Sequence, residues 1–329
     1  MNAKFARAGI KAFLILLTGL AVNLGWGSLA WAAPPGSAWG ANYFPNVELV
    51  TQDGKKVRFY DDLIKDKVFA INFIYTRCTD SCPLETAALR KVQKALGDRM
   101  GKDVVFYSIS IDGVRDKPEE LKDYAERFNV GPGWTFLTGR PEDVTLLRQK
   151  LGMYRSDGQA EKALNEHGIS ILMGNEQAGQ WIKRSPFEET KALVRVLGTR
   201  LQTKSVVTST GQHEAIRVPA QSSGEALFRS KCEACHSIGK EGGLGPSLQG
   251  VTKMRDRAWL TRWIKTPDKV LADNDLIAVD LYNRYKKIVM PNLRLSDREV
   301  EELINYMDVS SKANSMSVTD EALVKTQIH

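Results

Sequence analysis

The chain has 329 residues, 43% of them hydrophobic and 26% charged, with a formal net charge of +7 and four cysteines. That length suits two domains, and the composition excludes wholesale disorder. Three of the excess positive charges are Lys4, Arg7 and Lys11, and the remaining basic residues alternate with acids along the helical stretches. Such a surface is a solvated one and excludes a nucleic-acid footprint.

The three N-terminal basic residues precede an uncharged apolar run from Ala12 to about Leu24, then Ala30-Trp31-Ala32. This is the pattern of a secretory signal peptide over residues 1–32 with an A-x-A cleavage site. The competing reading is an uncleaved membrane anchor, because no charge occurs between Lys11 and Glu48. Either reading sends the chain to an oxidising, extracytoplasmic compartment, and a bacterial periplasm fits best.

From about Asn42 to Leu201 strands and helices alternate. Val68 to Tyr75 is a short apolar run of buried-strand type. A helix is expected from Pro83 to Gly97, with Pro83 in the first turn and Gly97 at the end. Val104 to Ile109 is a second strand. Pro118 opens a helix whose Leu121, Tyr124, Ala125 and Phe128 share one face. A strand over Trp134 to Leu137, a helix over Pro141 to Leu151, a hairpin over Ile169 to Met173 and Gln180 to Ile182, and a helix over Glu188 to Leu201 follow. The order predicts an α/β layered domain over residues 33–201.

Residues 202–222 lack a helical period and are rich in Thr, Ser and Gln, as in a flexible linker. A tether of about twenty residues reaches roughly 25 Å, which predicts two halves that meet often without a large fixed interface. Residues 223–310 are helical in pattern. Trp259, Leu260, Trp263 and Ile264 share a face of one helix, and Ser296-Asp297-Arg298-Glu299 is a capping box opening another. Residues 311–329 form a polar tail.

Within that helical half stands Cys232-Glu233-Ala234-Cys235-His236. C-x-x-C-H is the attachment signature of c-type haem: two thiols add to the vinyl groups, and the adjacent histidine becomes an axial iron ligand. A four-thiolate zinc site with Cys78 and Cys82 would have to join two separate domains. A small all-α fold around one covalent haem is expected. Among Met254, Met290, Met307 and Met316, the sixth ligand is assigned to Met290, which precedes Pro291-Asn292 in a non-helical stretch. The segment from Gly224 through the haem motif, Gly245-Pro246 and Met290-Pro291-Asn292 resembles class I cytochrome c.

Cys78 and Cys82 stand at i and i+4, after a strand and before a helix. On a helical turn the sulfurs share a face, close enough for one metal ion or a disulfide. Thiolates with an imidazole suit copper. His167 is the candidate imidazole, since His236 serves haem, His213 lies in the linker and His329 at the terminus. A structural disulfide is the usual fate of two cysteines in an exported protein, and a loop histidine is more often solvated, so the residues alone leave the matter open.

Tyr75-Thr76-Arg77-Cys78-Thr79-Asp80-Ser81-Cys82-Pro83 resembles the copper motif of the Sco/SenC family. Ser110 to Glu119 and Trp134 to Gly139 are similar to that family's second and third blocks. The resemblance implies a thioredoxin-like fold and copper held by Cys78, Cys82 and His167. It also implies a metallochaperone role in copper loading of cytochrome c oxidase, with a copper-accepting oxidase subunit as partner. Thr79, Gly113 and Gly168 depart from the family pattern; the ligands are intact. A separate redox partner would serve the haem. One-electron exchange between haem and copper is the expected coupling, because opening a disulfide takes two electrons. A thiol–disulfide oxidoreductase with Cys78 and Cys82 as its redox pair, and a redox sensor, are the alternatives.

Overall fold

A computed structural model describes residues 43–154, 169–202, 222–239 and 243–326, with side chains to residue 314. The signal segment, His167, His213 and most of the linker therefore lie outside the described residues.

The N-terminal half is built on a seven-stranded sheet with the strands β1 (Glu48–Thr51), β2 (Lys56–Arg58), β3 (Val68–Ile74), β4 (Val105–Ser110), β5 (Trp134–Thr138), β6 (Ile171–Asn175) and β7 (Gln180–Arg184). Their order across the sheet is β2-β1-β5-β4-β3-β6-β7. β3, β4 and β5 pair in parallel, with Phe69 opposite Val105 and Phe106 opposite Trp134; the remaining pairings are antiparallel. All seven residues of β3 are buried, as a central strand covered on both faces requires.

One face carries helices α1 (Cys82–Leu96), α2 (Pro118–Arg127) and α4 (Thr190–Gly198), whose Leu89, Tyr124 and Leu193 enter its core. The other carries a helical turn over Phe59–Ile64 and α3 (Pro141–Lys150), with Phe59, Ile64, Val144 and Leu147 inside. This is a thioredoxin-like layered arrangement. The central strands and four helices fall where the apolar pattern predicts. β1, β2 and the turn after them are additional.

The C-terminal half is helical, with α5 (Ser223–Leu227), α6 (Val251–Met254), α7 (Arg257–Lys265), α8 (Pro267–Ala272), α9 (Leu276–Arg284) and α10 (Asp297–Thr326). The caps are chemical. Ser222 Oγ accepts from Glu225 N at 3.2 Å, and Asp256 accepts from Trp259 N at 2.9 Å. The Ser296/Glu299 capping box forms in both directions. α5 crosses α10 closely: a Cβ at Gly224 would lie 2.3 Å from the Glu302 carbonyl oxygen, so only glycine fits. Phe228, Leu260, Leu303, Ile304 and Met307 fill the core between these helices. α10 runs on to Thr326, past the end of its apolar stripe.

Candidate functional site: a thiol pair beside a haem-motif cavity

Cys78 and Cys82 lie in the loop at the C-terminal end of β3 and at the start of α1, where parallel-sheet proteins place their chemistry. Both are free thiols and buried, at 4% and 0% exposure. Cys82 N–H donates to Cys78 Sγ at 3.4 Å, and Cys78 N–H donates to the Tyr75 carbonyl at 3.2 Å. The Cys78 thiol is pushed down to about 6, chiefly by the hydrogen bond from the Cys82 side chain and further by backbone N–H groups of the loop. Cys82 is pushed up, chiefly by burial and then by its neighbour Cys78. One thiol of the pair is thus a ready thiolate while the other keeps its proton.

Asp116 fixes the approach to this loop. It is fully buried and accepts from Thr76 N (2.9 Å), Thr76 Oγ1 (2.6 Å) and Ser110 Oγ (2.6 Å). The second sequence block therefore acts as a clamp on the thiol loop. The third supplies Trp134, whose Nε1 donates to Ser108 Oγ at 2.9 Å, and Ser108 donates to Asn72 Oδ1 at 2.6 Å.

Beside Asn72 lies Glu85, which the sequence does not single out. An acid in the first turn of a helix usually faces solvent and complements the dipole. Here Glu85 is 1% exposed, and burial pushes its carboxyl up to about 8 against the opposing effect of Asn72. Among the described residues no group of three His, Cys, Asp or Glu side chains forms a metal site. The thiols supply two ligands, and the predicted third, His167, lies outside the described residues.

In the helical half, a cavity of about 240 Å³ is lined by Cys232, His236, Trp259, Trp263 and Met290. A neighbouring cavity of about 80 Å³ adds Cys235 and Leu84. His236 Nδ1 lies 2.9 Å from the Pro246 carbonyl, which fixes a donor there and leaves Nε2 as the electron-pair donor. Burial lowers the imidazole's proton affinity, which favours the neutral ring a metal needs. A Cβ at Gly245 would stand 2.6 Å from His236 Cε1, so the glycine clears room for the ring. Both motif thiols are pushed up to about 12 by burial, unlike Cys78, which disfavours a thiolate metal site. An apolar slot, a neutral imidazole and two protonated thiols fit a covalently held haem. Met290 lines both cavities; Met254 and Met307 line only the larger, Met254 being 62% exposed and Met307 part of the core.

The two halves are docked, in contrast to the loosely meeting halves that the tether predicts, and they belong to one compact unit. Leu244, from the haem-motif half, is 8% exposed and belongs to the apolar cluster that buries Cys78 and Cys82. Ala234, Cys235 and Ile288 pack against the same cluster. Around this centre, Asn292 N–H donates to the Thr79 carbonyl at 3.2 Å, and Arg294 pairs with Asp80 at 3.4 Å. Lys286 Nζ reaches Asn129 Oδ1, Arg127 reaches the Lys287 carbonyl at 3.3 Å, and Lys91 pairs with Glu233 at 3.3 Å. Burying a leucine contributes about 1.5–3 kcal/mol and an exposed ion pair about 0–1 kcal/mol. Leu244 therefore contributes most, and the polar rim sets the register.

The fold and the two sites define a thioredoxin-like thiol domain joined to a c-type cytochrome domain. Residues 38–199 match the SCO1/SenC family model, and residues 219–307 match the family described as cytochrome C oxidase, cbb3-type, subunit III. Residues 38–199 are thus a SCO1/SenC family domain, and a cytochrome c domain follows it. The chain is similar to the SCO1 protein homolog of Bacillus subtilis, 38% identical over 89 residues, which are 27% of this chain and 45% of that protein's length. Among solved structures, a SCO1/SenC family lipoprotein from Bacillus anthracis is 28% identical with a TM-score of 0.42, covering 51% of this chain and 99% of that one. Bradyrhizobium japonicum ScoI with copper bound is 28% identical with a TM-score of 0.36, covering 46% and 96%. Among the described residues no helix is long and apolar enough to cross a membrane.

Proposed function

We propose that this chain handles copper outside the cytoplasm and couples that task to a one-electron carrier in the same molecule. Cys78, Cys82 and His167 bind one copper ion as cargo for a copper-accepting subunit of a terminal oxidase. Cys232 and Cys235 hold one haem c, with His236 and Met290 as axial ligands. A haem so held supplies a one-electron couple, and Met/His ligation raises its potential. A change between Cu(II) and Cu(I) takes one electron, so the two sites balance without a further carrier. The apolar N-terminal segment exports the protein and, if retained, anchors it.

The observation that carries this reading is the packing of Cys235 against the apolar cluster that buries Cys78 and Cys82. The test is copper titration with metal analysis of the whole haem-loaded chain. One copper per chain is expected, lost in Cys78→Ser and weakened at least ~10–100-fold in His167→Ala, as losses around metal sites usually are. Equal affinity in wild type and His167→Ala removes that residue from the site.

The unequal acidity of the thiols favours one second reading, a thiol–disulfide oxidoreductase in which Cys78 attacks and Cys82 resolves. No copper uptake by the intact dithiol, together with cycling against a model disulfide, would establish that reading instead.

A further inference from the structure

The two residues between Thr76-Arg77-Cys78 and Ser81-Cys82 that reach the haem-motif half are Thr79 and Asp80, and they reach the segment that carries Met290. Asn292 N–H donates to the Thr79 carbonyl, and Arg294 pairs with Asp80. The same segment holds three non-glycine residues in left-handed backbone, Lys286 (φ 55°), Lys287 (φ 56°) and Arg294 (φ 53°). Such conformations persist where surrounding contacts over-determine them. Each of these three residues makes a contact to the thioredoxin-like half: Lys286 to Asn129, Lys287 through its carbonyl to Arg127, and Arg294 to Asp80. The strained stretch is therefore shaped for this seat. Leu244 enters the apolar cluster around the thiols, and both thiols are buried in the seated arrangement.

We infer that residues 286–294 form a latch that seats the cytochrome half on the thiol loop and controls access to Cys78 and Cys82. Seated, the thiol loop touches the segment that carries Met290, and the thiols are closed to solvent and to other proteins. Released, they are open for metal exchange. The inference rests on the reading of Cys78 and Cys82 as the working site, and its test does not depend on copper.

The experiment is alkylation of Cys78 in the reduced, metal-free, haem-loaded chain at fixed pH. Arg294→Asp sets a carboxylate against Asp80, and aspartate tolerates left-handed backbone better than most residues. Labelling should speed up by about 3–5-fold, the scale of an exposed pair turned repulsive. Adding Lys286→Asp should raise this to about tenfold, with a larger radius of gyration in solution scattering. Adding Asp80→Arg to Arg294→Asp restores the pair and should return the rate to within about twofold of wild type. An unchanged haem spectrum in each variant shows that the cytochrome half is intact. Equal labelling rates in wild type and Lys286→Asp/Arg294→Asp would overturn the latch. If the rates change as expected but copper titration finds no binding, the latch stands and the copper reading falls.

Discussion

Glu85 follows Cys82 by three residues, with both carboxyl oxygens buried and only Asn72 beside them to favour the charged form. Burial raises its folded-state value from 4.5 to about 8. A raised carboxyl contributes its full stability below the unfolded value and loses it as pH climbs through the folded one. The metal-free protein should therefore lose, between about pH 4.5 and 8, on the order of 4 kcal/mol that Glu85→Gln does not lose. Urea denaturation of both proteins at pH 5 and pH 8 reads this as a gap that widens with pH; a constant gap would mean the carboxyl ionises freely. Cys78 makes the opposite case, since hydrogen bonding pulls it down to about 6. Its alkylation rate should titrate near that pH, well below an ordinary thiol, and a midpoint near 9 would show that the Cys82 contact is not made. At the iron, Met290→Ala should abolish the weak methionine-to-iron absorption band at the red edge while haem stays attached. Survival of the band in that variant and its loss in Met254→Ala would move the axial ligand to Met254.

The loop from residue 243 to Pro246 shows how an element, more than one side chain, builds the haem-motif cavity. Pro246 lends its carbonyl to His236 Nδ1 and Gly245 leaves space for the ring. Gly245→Ala should displace the imidazole and lower the yield of hexacoordinate protein, measured as the ratio of the methionine band to total haem; an unaltered ratio would mean the loop yields. Gly245-Pro246 was legible through the resemblance to class I cytochrome c, whereas β3, α1 and the strands after α1 were legible because long apolar runs and fixed cysteine spacing carry local signals. β1 and β2 were not: they have four and three residues, and only alternate ones are buried. Ser310–Thr326 was illegible as helix because no apolar stripe continues there. Glu85 was hidden by its position, where an acid normally serves the helix dipole. The latch was also hidden, since its left-handed residues are two lysines and an arginine, with none of the glycine signal that marks such turns. Its partners lie more than a hundred and fifty residues away along the chain.

At the scale of the whole molecule, docking changes what the fusion does. A tether alone gives an effective concentration in the mM range, but a seated cytochrome half needs no search at all. Leu244 belongs to the apolar cluster that holds the thiols, and Cys235 and Ile288 pack against it, so the electron exchange proposed above would be a property of the folded chain. The most direct measurement is stopped-flow absorbance of haem after mixing the reduced-haem protein with Cu(II), with copper bound at the thiol pair before haem oxidation is followed. The expected result is one haem oxidised per copper reduced, in a first-order phase whose rate constant is the same at every protein concentration and is lost in Cys78→Ser. A rate that scales with protein concentration and matches an equimolar mixture of copper-loaded Cys232→Ser/Cys235→Ser protein and haem-loaded Cys78→Ser/Cys82→Ser protein would contradict it.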